Sequence, residues 1–160
     1  MTDGAPVTLH ATAVGLALDR DGPLVGVLIT GASGLGKSVL TLNLIEQCPW
    51  RRTSLVGDDV VEIFAQSQAP WARGFGPMAG QIEVRGFGPV PVRTKPAIAL
   101  GFVLALQTER PPRLYTPQMK GLAPTPWSLP QVPFWCEDAA SHPARVRVIA
   151  RTILAGQIPL

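Results

Sequence analysis

The feature that most constrains the fold is a glycine-rich segment, GASGLGKS at residues 31–38, which fits the pattern G-x-x-x-x-G-K-[S/T] at every fixed position. The apolar run LVGVLIT at residues 24–30 comes directly before it and predicts a buried strand of a parallel sheet. A helix predicted over residues 36–47 follows and stops before Pro49. A strand, a glycine turn and a helix in this order are typical of α/β domains that hold a phosphate at a helix N-terminus.

The chemistry of this segment follows from its backbone and from two side chains. Glycines let successive N–H groups surround a phosphate, which also meets the positive end of the helix dipole. The Lys37 amine is placed to reach the β- and γ-phosphates of a nucleotide, and the Ser38 hydroxyl to coordinate Mg²⁺. The sequence therefore predicts a nucleotide site formed by Gly31, Ala32, Ser33, Gly34, Leu35, Gly36, Lys37 and Ser38.

A pair of acids, Asp58 and Asp59, follows a second predicted strand at residues 53–57. One carboxylate at such a strand end can hold Mg²⁺ through water, and a second can accept a proton from an attacking hydroxyl. The alternative is a structural role in a turn or a helix cap. The phosphate loop upstream favours the functional interpretation, and the residues leave open which of the two acids accepts the proton.

Two further candidates carry weaker signals. Glu83 and Arg85 alternate with Ile82 and Val84, so each pair shares one face of a predicted strand. Taken alone, this alternation favours an exposed cross-strand ion pair. His10 is isolated near an early strand and, taken alone, indicates a surface or core histidine.

The rest of the chain is predicted to be mostly extended. Strands are predicted at residues 7–18 (a strand pair, or a strand and a turn), 60–65, 82–85, 90–92 and, as the central strand, 97–106. Residues 66–81 predict a loop, because glycine and proline recur there. The seven prolines of residues 111–135 exclude a single regular element.

A last helix is predicted near the end of the sequence. It is expected to be capped by residues 138–141, to carry Pro143 in its first turn and to end at Gly156. Its apolar stripe is predicted to comprise Val146, Ile149, Ile153 and Leu154.

Composition excludes several classes of protein. The 160 residues suit one domain, and 46% hydrophobic with 16% charged residues rules out a disordered chain. Cys48 and Cys136 have no C-x-x-C partner, which excludes a disulfide scaffold or zinc finger. The net charge of +3 comes from scattered bases, which argues against nucleic acid. Because no leader and no long apolar run is found, we expect a soluble protein of a reducing compartment, without membrane contact.

Four segments together resemble the catalytic domain of the bacterial HPr kinase/phosphorylase family. They are HATAV at residues 10–14, LITGASGLGKS at 28–38, LVGDDVVEI at 55–63 and QIEVRGFG at 81–88. The last is similar to an I-E-x-R-G-[L/F]-G element of that family that ordinary P-loop proteins lack. The resemblance implies an α/β P-loop kinase domain related to phosphoenolpyruvate carboxykinase, with a mixed sheet and few helices. It also implies that residues 1–160 form a single catalytic domain.

The resemblance also implies roles for individual residues. One of Asp58 and Asp59 would accept the proton of a target serine, and Glu83 would be a second Mg²⁺ ligand beside Ser38. Arg85 lies in the stretch that the family ties to catalysis.

Two more catalytic residues are implied outside the central segments. His10 matches the family's active-site histidine. Arg113 is the best match to an arginine that would stabilise charge on the transferring phosphoryl group, with Arg110 as the alternative.

By this resemblance the chain would be a Mg-ATP-dependent serine kinase acting on a small HPr-like phosphocarrier of the sugar phosphotransferase system. It would regulate carbon metabolism in the cytoplasm as a homo-oligomer, a hexamer by analogy. The segment LPQVPFWCED at residues 129–138 has no arginine where long relatives need arginines for phosphorolysis, so phosphorylase activity is expected to be weak or absent. The alternatives are a P-loop kinase of a small molecule, a simple NTPase, or a non-catalytic nucleotide sensor.

Overall fold

The structure, a computed structural model, describes residues 4–113, 117–122, 125–135 and 142–156. Over these residues the chain forms eleven strands and two helices. In chain order they are β1 (Val7–Leu9), β2 (Thr12–Leu16), β3 (Val25–Thr30), α1 (Lys37–Glu46), β4 (Ser54–Gly57), β5 (Val61–Gln66), β6 (Ala69–Gly74), β7 (Gln81–Val84), β8 (Gly88–Pro91), β9 (Ala97–Gln107), β10 (Gln118–Gly121), β11 (Ser128–Trp135) and α2 (His142–Leu154). The predicted α/β class, with a mixed sheet and few helices, is confirmed.

Strand β9 lies at the centre of a nine-stranded mixed sheet. The main path of this sheet is β1-β5-β6-β9-β3-β2-β4, and β11 adds to β9 while β10 adds to β11. Strand β9 runs parallel to β3 and β11 and antiparallel to β6. It pairs with β6 through residues 97–99 and with β11 through residues 103–107, so these two strands share one edge of β9. The predicted central strand is therefore confirmed.

Both faces of the central strands are buried. In β3, Val27 and Ile29 enter an apolar cluster that also contains residues of α1 and α2. Leu28, between them, enters a second cluster with residues of β4, β5 and β6. Because successive side chains of a strand point to opposite faces, the helices pack on one face of β3 and the second cluster fills the other. This double burial explains the continuous apolar run that precedes the phosphate loop.

Helix α1 forms where the sequence predicts it. Gly36, with φ 95°, is its N-cap, and Leu40, Leu44 and Ile45 are buried on its inner face. No side chain of the described residues caps its N-terminus. The first backbone N–H groups of a helix have no partner within the helix, so this end of α1 is suited to receive a ligand.

The prediction of a loop over residues 66–81 is wrong, because strand β6 lies inside that range and pairs with β5 and β9. The strands β5 and β6 are joined by Ser67 and Gln68, whose φ angles are 52° and 59°. Two central residues with positive φ are typical of the tight hairpin turn that normally uses Asn-Gly. Since neither residue is glycine or asparagine, the sequence lacks the usual hairpin signal.

The proline-rich stretch is not one element, as predicted, but its described part includes the hairpin of β10 and β11. Pro130 pairs with β10 at a position before β11 joins β9, and Pro133 pairs with β9 at a position beyond the β10 ladder. Each proline therefore lies where β11 has a partner on one side only. A proline can occupy such a position without losing a ladder hydrogen bond when its nitrogen faces the open side.

The two ends of the chain differ from prediction in detail. Strands β1 and β2 lie within the predicted range 7–18 and end at Leu16. They do not pair with each other, because β1 pairs with β5 while β2 lies between β3 and β4. Helix α2 ends before Gly156, which has φ 65°, as predicted. Leu154 is 60% exposed and does not belong to the apolar stripe, where Ala150 is buried instead. The predicted cap at residues 138–141 lies outside the described residues.

Neither of the helices in the described residues combines the length and the hydropathy needed to cross a membrane.

Candidate active site

The phosphate loop connects β3 to α1 through a backbone that only glycine adopts readily. Gly34 and Gly36 have φ angles of 83° and 95°, in the region where a β-carbon is strained. The Lys37 amine donates hydrogen bonds to the carbonyl oxygens of Gly31 at 2.8 Å and Ala32 at 3.2 Å. The positive charge of Lys37 therefore lies against the start of the loop that precedes it.

Asp58 is held beside the first turn of α1. The Ser38 hydroxyl contacts both carboxylate oxygens of Asp58 at 3.0 Å, and the Thr12 hydroxyl donates to Asp58 Oδ1 at 2.9 Å. Thr12 itself is fully buried at the start of β2. The carboxylate of Asp58 is thereby fixed against the serine that follows the loop lysine.

The oxygen pair formed by Ser38 and Asp58 fits a magnesium ion. Two neighbouring ligands of an octahedral Mg²⁺ lie about 3 Å apart, because each metal–oxygen bond is about 2.1 Å long. The hydroxyl and carboxylate oxygens here are 3.0 Å apart. No group of three or more His, Cys, Asp or Glu side chains able to hold a metal occurs in the described part of the chain. Mg²⁺ commonly uses one or two protein oxygens together with phosphates and water, and the donor set matches that mode.

Asp59 differs from its neighbour in both backbone and exposure. Its φ is 69°, and the Val60 N–H donates across it to the Asp58 carbonyl oxygen at 2.8 Å. The Asp59 N–H donates to the Thr12 hydroxyl oxygen at 3.3 Å. Its exposed side chain lines the cleft beside the phosphate loop. The sequence could not distinguish the two acids. In the structure, the sharp turn at Asp59 gives their side chains different surroundings.

The cleft has a volume of about 330 Å³ and combines the loop with side chains from two other segments. Its lining comprises Ser33, Gly34, Gly36, Lys37, Ser38, Val39, Asp59, Glu83 and Arg85. Glu83 and Arg85 come from the β7–β8 hairpin, a separate two-stranded sheet. Buried Ile82 packs with Ile45 of α1 and with Leu55, which ties the hairpin to the body of the domain. Strand β7 ends at Val84, so Arg85 lies in the turn that follows it and not on the predicted strand face, although both side chains line this cleft.

Two of the predicted residues lie elsewhere. His10 is exposed and lines a second cleft of about 460 Å³, together with Thr30, Lys120 and Gln131. Arg113 is exposed in the segment after β9 and lines neither of these two clefts. The alternative, Arg110, has its guanidinium carbon 5.5 Å from the centre of the Trp135 ring.

Thr12 contacts both acids and was not singled out from the sequence. A single buried threonine on a strand gives no local signal of function. Only the position of β2 beside β4, which ends next to Asp58, brings its hydroxyl to the pair.

Comparison with known proteins places this site in a family. A family model described as the HPr Serine kinase C-terminal domain matches residues 13–96, just over half of the 160-residue chain. The chain belongs to this family. The HPr kinase match contains the phosphate loop, both aspartates, Glu83 and Arg85, whereas His10, Thr12 and Arg113 lie outside it.

Curated relatives and a solved structure agree with this membership. The HPr kinase/phosphorylase of Bordetella avium is 46% identical over 92 residues, and that of Neisseria meningitidis serogroup C is 42% identical over 87 residues. These matches cover 56% and 54% of this chain but 27% and 26% of the relatives, so the chain spans about a quarter of their length.

The structure described as the Hpr(Ser) kinase/phosphatase from Coxiella burnetii superposes with a TM-score of 0.76 at 22% identity, covering 94% of this chain and 92% of that one. At this identity the similarity establishes the HPr kinase fold alone.

Proposed function

We propose that this chain is a Mg-ATP-dependent kinase that transfers the γ-phosphoryl group to a serine of a small HPr-like phosphocarrier protein. The observation that carries the proposal is the exposed Asp59 carboxylate in the same cleft as Lys37 and Ser38 of the phosphate loop. Membership of the HPr serine kinase family supports the choice of acceptor. A cytoplasmic location and a homo-oligomeric, hexameric assembly are part of the same proposal.

The phosphate loop and α1 would bind the phosphates of ATP. Partnerless N–H groups at the start of a helix favour negative charge. The Lys37 amine, now bonded to two loop carbonyls, would turn to the phosphate oxygens. This exchange replaces neutral carbonyl acceptors by negatively charged phosphate oxygens, so that donor and acceptor both carry charge.

Ser38, Asp58 and Glu83 would hold the magnesium ion. When bound, Mg²⁺ neutralises the charge that develops on the phosphates during transfer. Ser38 and Asp58 already present a matched oxygen pair. Glu83 reaches the cleft from the β7–β8 hairpin, so the site would be closed by two separate parts of the chain.

Asp59 would be the proton acceptor. Both oxygens of Asp58 contact the Ser38 hydroxyl, whereas the Asp59 side chain is exposed in the cleft. The acceptor serine would give its proton to an Asp59 carboxylate oxygen while its own oxygen bonds to the γ-phosphorus. The bond between that phosphorus and the bridging oxygen breaks, and ADP leaves with the electron pair. Arg85 would stabilise the charge spread over the transferring group.

Phosphorolysis is expected to be weak or absent, and His10 and Arg113 keep the roles implied by the family resemblance. Since they line neither the loop cleft nor a common site, no step above depends on them. An acceptor protein or a neighbouring subunit would have to bring them into contact with the reaction.

Transfer of phosphate to protein tests the proposal. The purified chain is incubated with Mg-ATP and an HPr-like phosphocarrier, and the intact mass of the carrier is measured. We expect one added phosphoryl group, lost when the target serine is replaced by alanine and lost in excess EDTA. Phosphate on a small molecule, hydrolysis without transfer, or binding without turnover would contradict the proposal and favour the small-molecule kinase, the NTPase or the sensor.

A further inference from the structure

Thr12 contacts both Asp58 and Asp59, the second of which lines the cleft. Its side chain is fully buried at the start of β2. The hydroxyl donates its proton to Asp58 Oδ1 at 2.9 Å and accepts the backbone N–H of Asp59 at 3.3 Å. A hydroxyl has one proton to donate, so the group is engaged as donor and as acceptor by neighbouring residues of one turn.

The turn that Thr12 contacts is an unusual one. The Val60 N–H reaches the Asp58 carbonyl oxygen at 2.8 Å, and Asp59 between them has φ 69°. A hydrogen bond spanning two residues with a positive φ at the centre defines the rare, strained form of the γ-turn. Strained backbone of this kind persists only where the surrounding structure holds it. The contacts that hold it here include the hydroxyl of Thr12 on one side and Ser38 on the Asp58 carboxylate.

We propose that Thr12 is a positioning residue that sets the separate orientations of Asp58 and Asp59. Its hydroxyl keeps the Asp58 carboxylate against Ser38 and anchors the strained turn that leaves the Asp59 carboxylate in the cleft. The proposal rests on the proposed function, in which Asp59 accepts the proton. Thr12 touches neither nucleotide nor acceptor in this scheme and acts through the two acids.

Replacing the hydroxyl while keeping the shape separates this role from packing. Thr12→Val retains the size of the side chain but leaves the Asp59 N–H without its acceptor and Asp58 without one donor. Misplacement of a reacting group by about 1 Å can lower the rate by about 100-fold. We therefore expect Thr12→Val to lower kcat by about 10- to 100-fold. The Kd for Mg-ATP should rise by a smaller factor, because the Ser38 hydroxyl still holds the Asp58 carboxylate.

Two variants serve as controls. Thr12→Ser restores the hydroxyl and should recover most of kcat. Thr53→Val is a matched control, because Thr53 is also fully buried and its hydroxyl also accepts a backbone N–H, that of Ala17, at 3.1 Å. Thr53→Val should lose a similar amount of thermal stability without the loss in kcat. If Thr12→Val does not fold, Thr12→Ala against Thr12→Ser gives the same comparison.

The coupling to Asp59 is measured in a double-mutant cycle. In an Asp59→Asn background, Thr12→Val should cause little further loss of kcat. An unchanged kcat in Thr12→Val, a failure of Thr12→Ser to recover it, or an equal loss in the Asp59→Asn background would overturn the positioning role.

A readout independent of transfer keeps this test separate from that of the proposed function. Amide hydrogen exchange at Asp59 and Val60, followed by NMR, should accelerate in Thr12→Val and not in Thr12→Ser or Thr53→Val. Unchanged exchange would refute the role of Thr12 in the turn. A wild-type chain that transfers no phosphate, with the exchange result as expected, would count against the proposed function alone.

Discussion

At the scale of single residues, two adjacent carboxylates acquire different surroundings from one backbone angle. Asp58 is half-buried and bonded to two hydroxyls, whereas Asp59 is exposed. The positive φ of Asp59 costs about 1–3 kcal/mol in such turns, and its position beside the phosphate loop indicates that the strain serves the site. In the proposed function this contrast is the reason for giving the metal contact to Asp58 and the proton to Asp59.

Asparagine at each acid should separate these two roles. Asp59→Asn should lower kcat by about 10²- to 10⁴-fold, as for loss of a general base, with little change in Mg-ATP affinity. Asp58→Asn should weaken Mg-ATP binding, because an amide oxygen is a poorer magnesium ligand than a carboxylate. Single-turnover rates and nucleotide Kd values measure both effects. If both variants stay within about threefold of the wild type, well below the usual general-base effect, the pair is structural.

Lys37 tests the phosphate loop itself. Lys37→Ala should abolish transfer, because it removes the amine that would bind the phosphates of ATP. The thermal unfolding temperature should stay near that of the wild type, because the amine, within the described residues, bonds only to carbonyl oxygens of the loop. Lys95→Ala removes a lysine outside the cleft and serves as the matched control. Turnover by Lys37→Ala at the wild-type rate would contradict the assignment of the loop.

At the scale of elements, the site depends on the β7–β8 hairpin, which lies outside the main sheet. Among the described residues, β7 and β8 pair only with each other, and Ile82 is fully buried against Ile45 and Leu55. The segment after β8 adds backbone hydrogen bonds from the Leu55 N–H to the Arg93 carbonyl oxygen and from the Lys95 N–H to the Leu55 carbonyl oxygen. Glu83, on the opposite face, lines the cleft. The packing of Ile82 therefore helps to position Glu83, a predicted metal ligand.

Ile82→Ala should loosen this hairpin. Truncating a buried isoleucine lowers the free energy of unfolding by about 2–5 kcal/mol, and here it should also raise the KM for Mg-ATP through Glu83 and Arg85. Phe87→Ala, in the hairpin turn and 81% exposed, is the control for stability. Urea denaturation of the two variants measures the difference, and equal unfolding free energies would exclude the proposed anchoring role.

The elements that the sequence predicted correctly are those whose own residues specify them, whereas the elements it missed depend on contacts with other parts of the chain. Helix α1, β3 and β9 are specified by their own apolar patterns and by the loop between the first two. Strand β6 was missed because its turn uses Ser67 and Gln68 in place of glycine or asparagine, and β11 because Pro130 and Pro133 are tolerated only where one edge is open. Within the site, Thr12 was missed because its partners are distant in sequence.

At the scale of the whole molecule, positive charge is unevenly distributed along the sequence. No Lys or Arg occurs between Lys120 and Arg145, the range that contains β11. Phosphorolysis has to bring inorganic phosphate beside a phosphoserine, and arginine suits that task because its planar group binds phosphate oxygens in pairs. The sequence offers no arginine for this purpose in that range.

Phosphorolysis of the phosphorylated carrier should therefore be much slower than the kinase reaction. Supplied with seryl-phosphorylated carrier and phosphate, the chain should release pyrophosphate more slowly than it phosphorylates the carrier, by on the order of 10³, the lower range for loss of an arginine finger. A coupled pyrophosphate assay and the kinase assay in the same buffer give the ratio. Comparable rates of the two reactions would show that phosphate is bound elsewhere, for example by a neighbouring subunit.

The turn between β5 and β6 is a place where substitution could raise the free energy of unfolding. Each non-glycine residue in left-handed backbone costs about 1–2 kcal/mol, and Ser67 and Gln68 both adopt it away from the cleft. Ser67→Asn with Gln68→Gly should raise the free energy of unfolding by about 1 kcal/mol or more, measured by urea denaturation, without changing kcat. A chain carrying that pair could tolerate costly substitutions at the site, Thr12→Val among them. No gain in stability would mean that surrounding contacts already offset the strain of the turn.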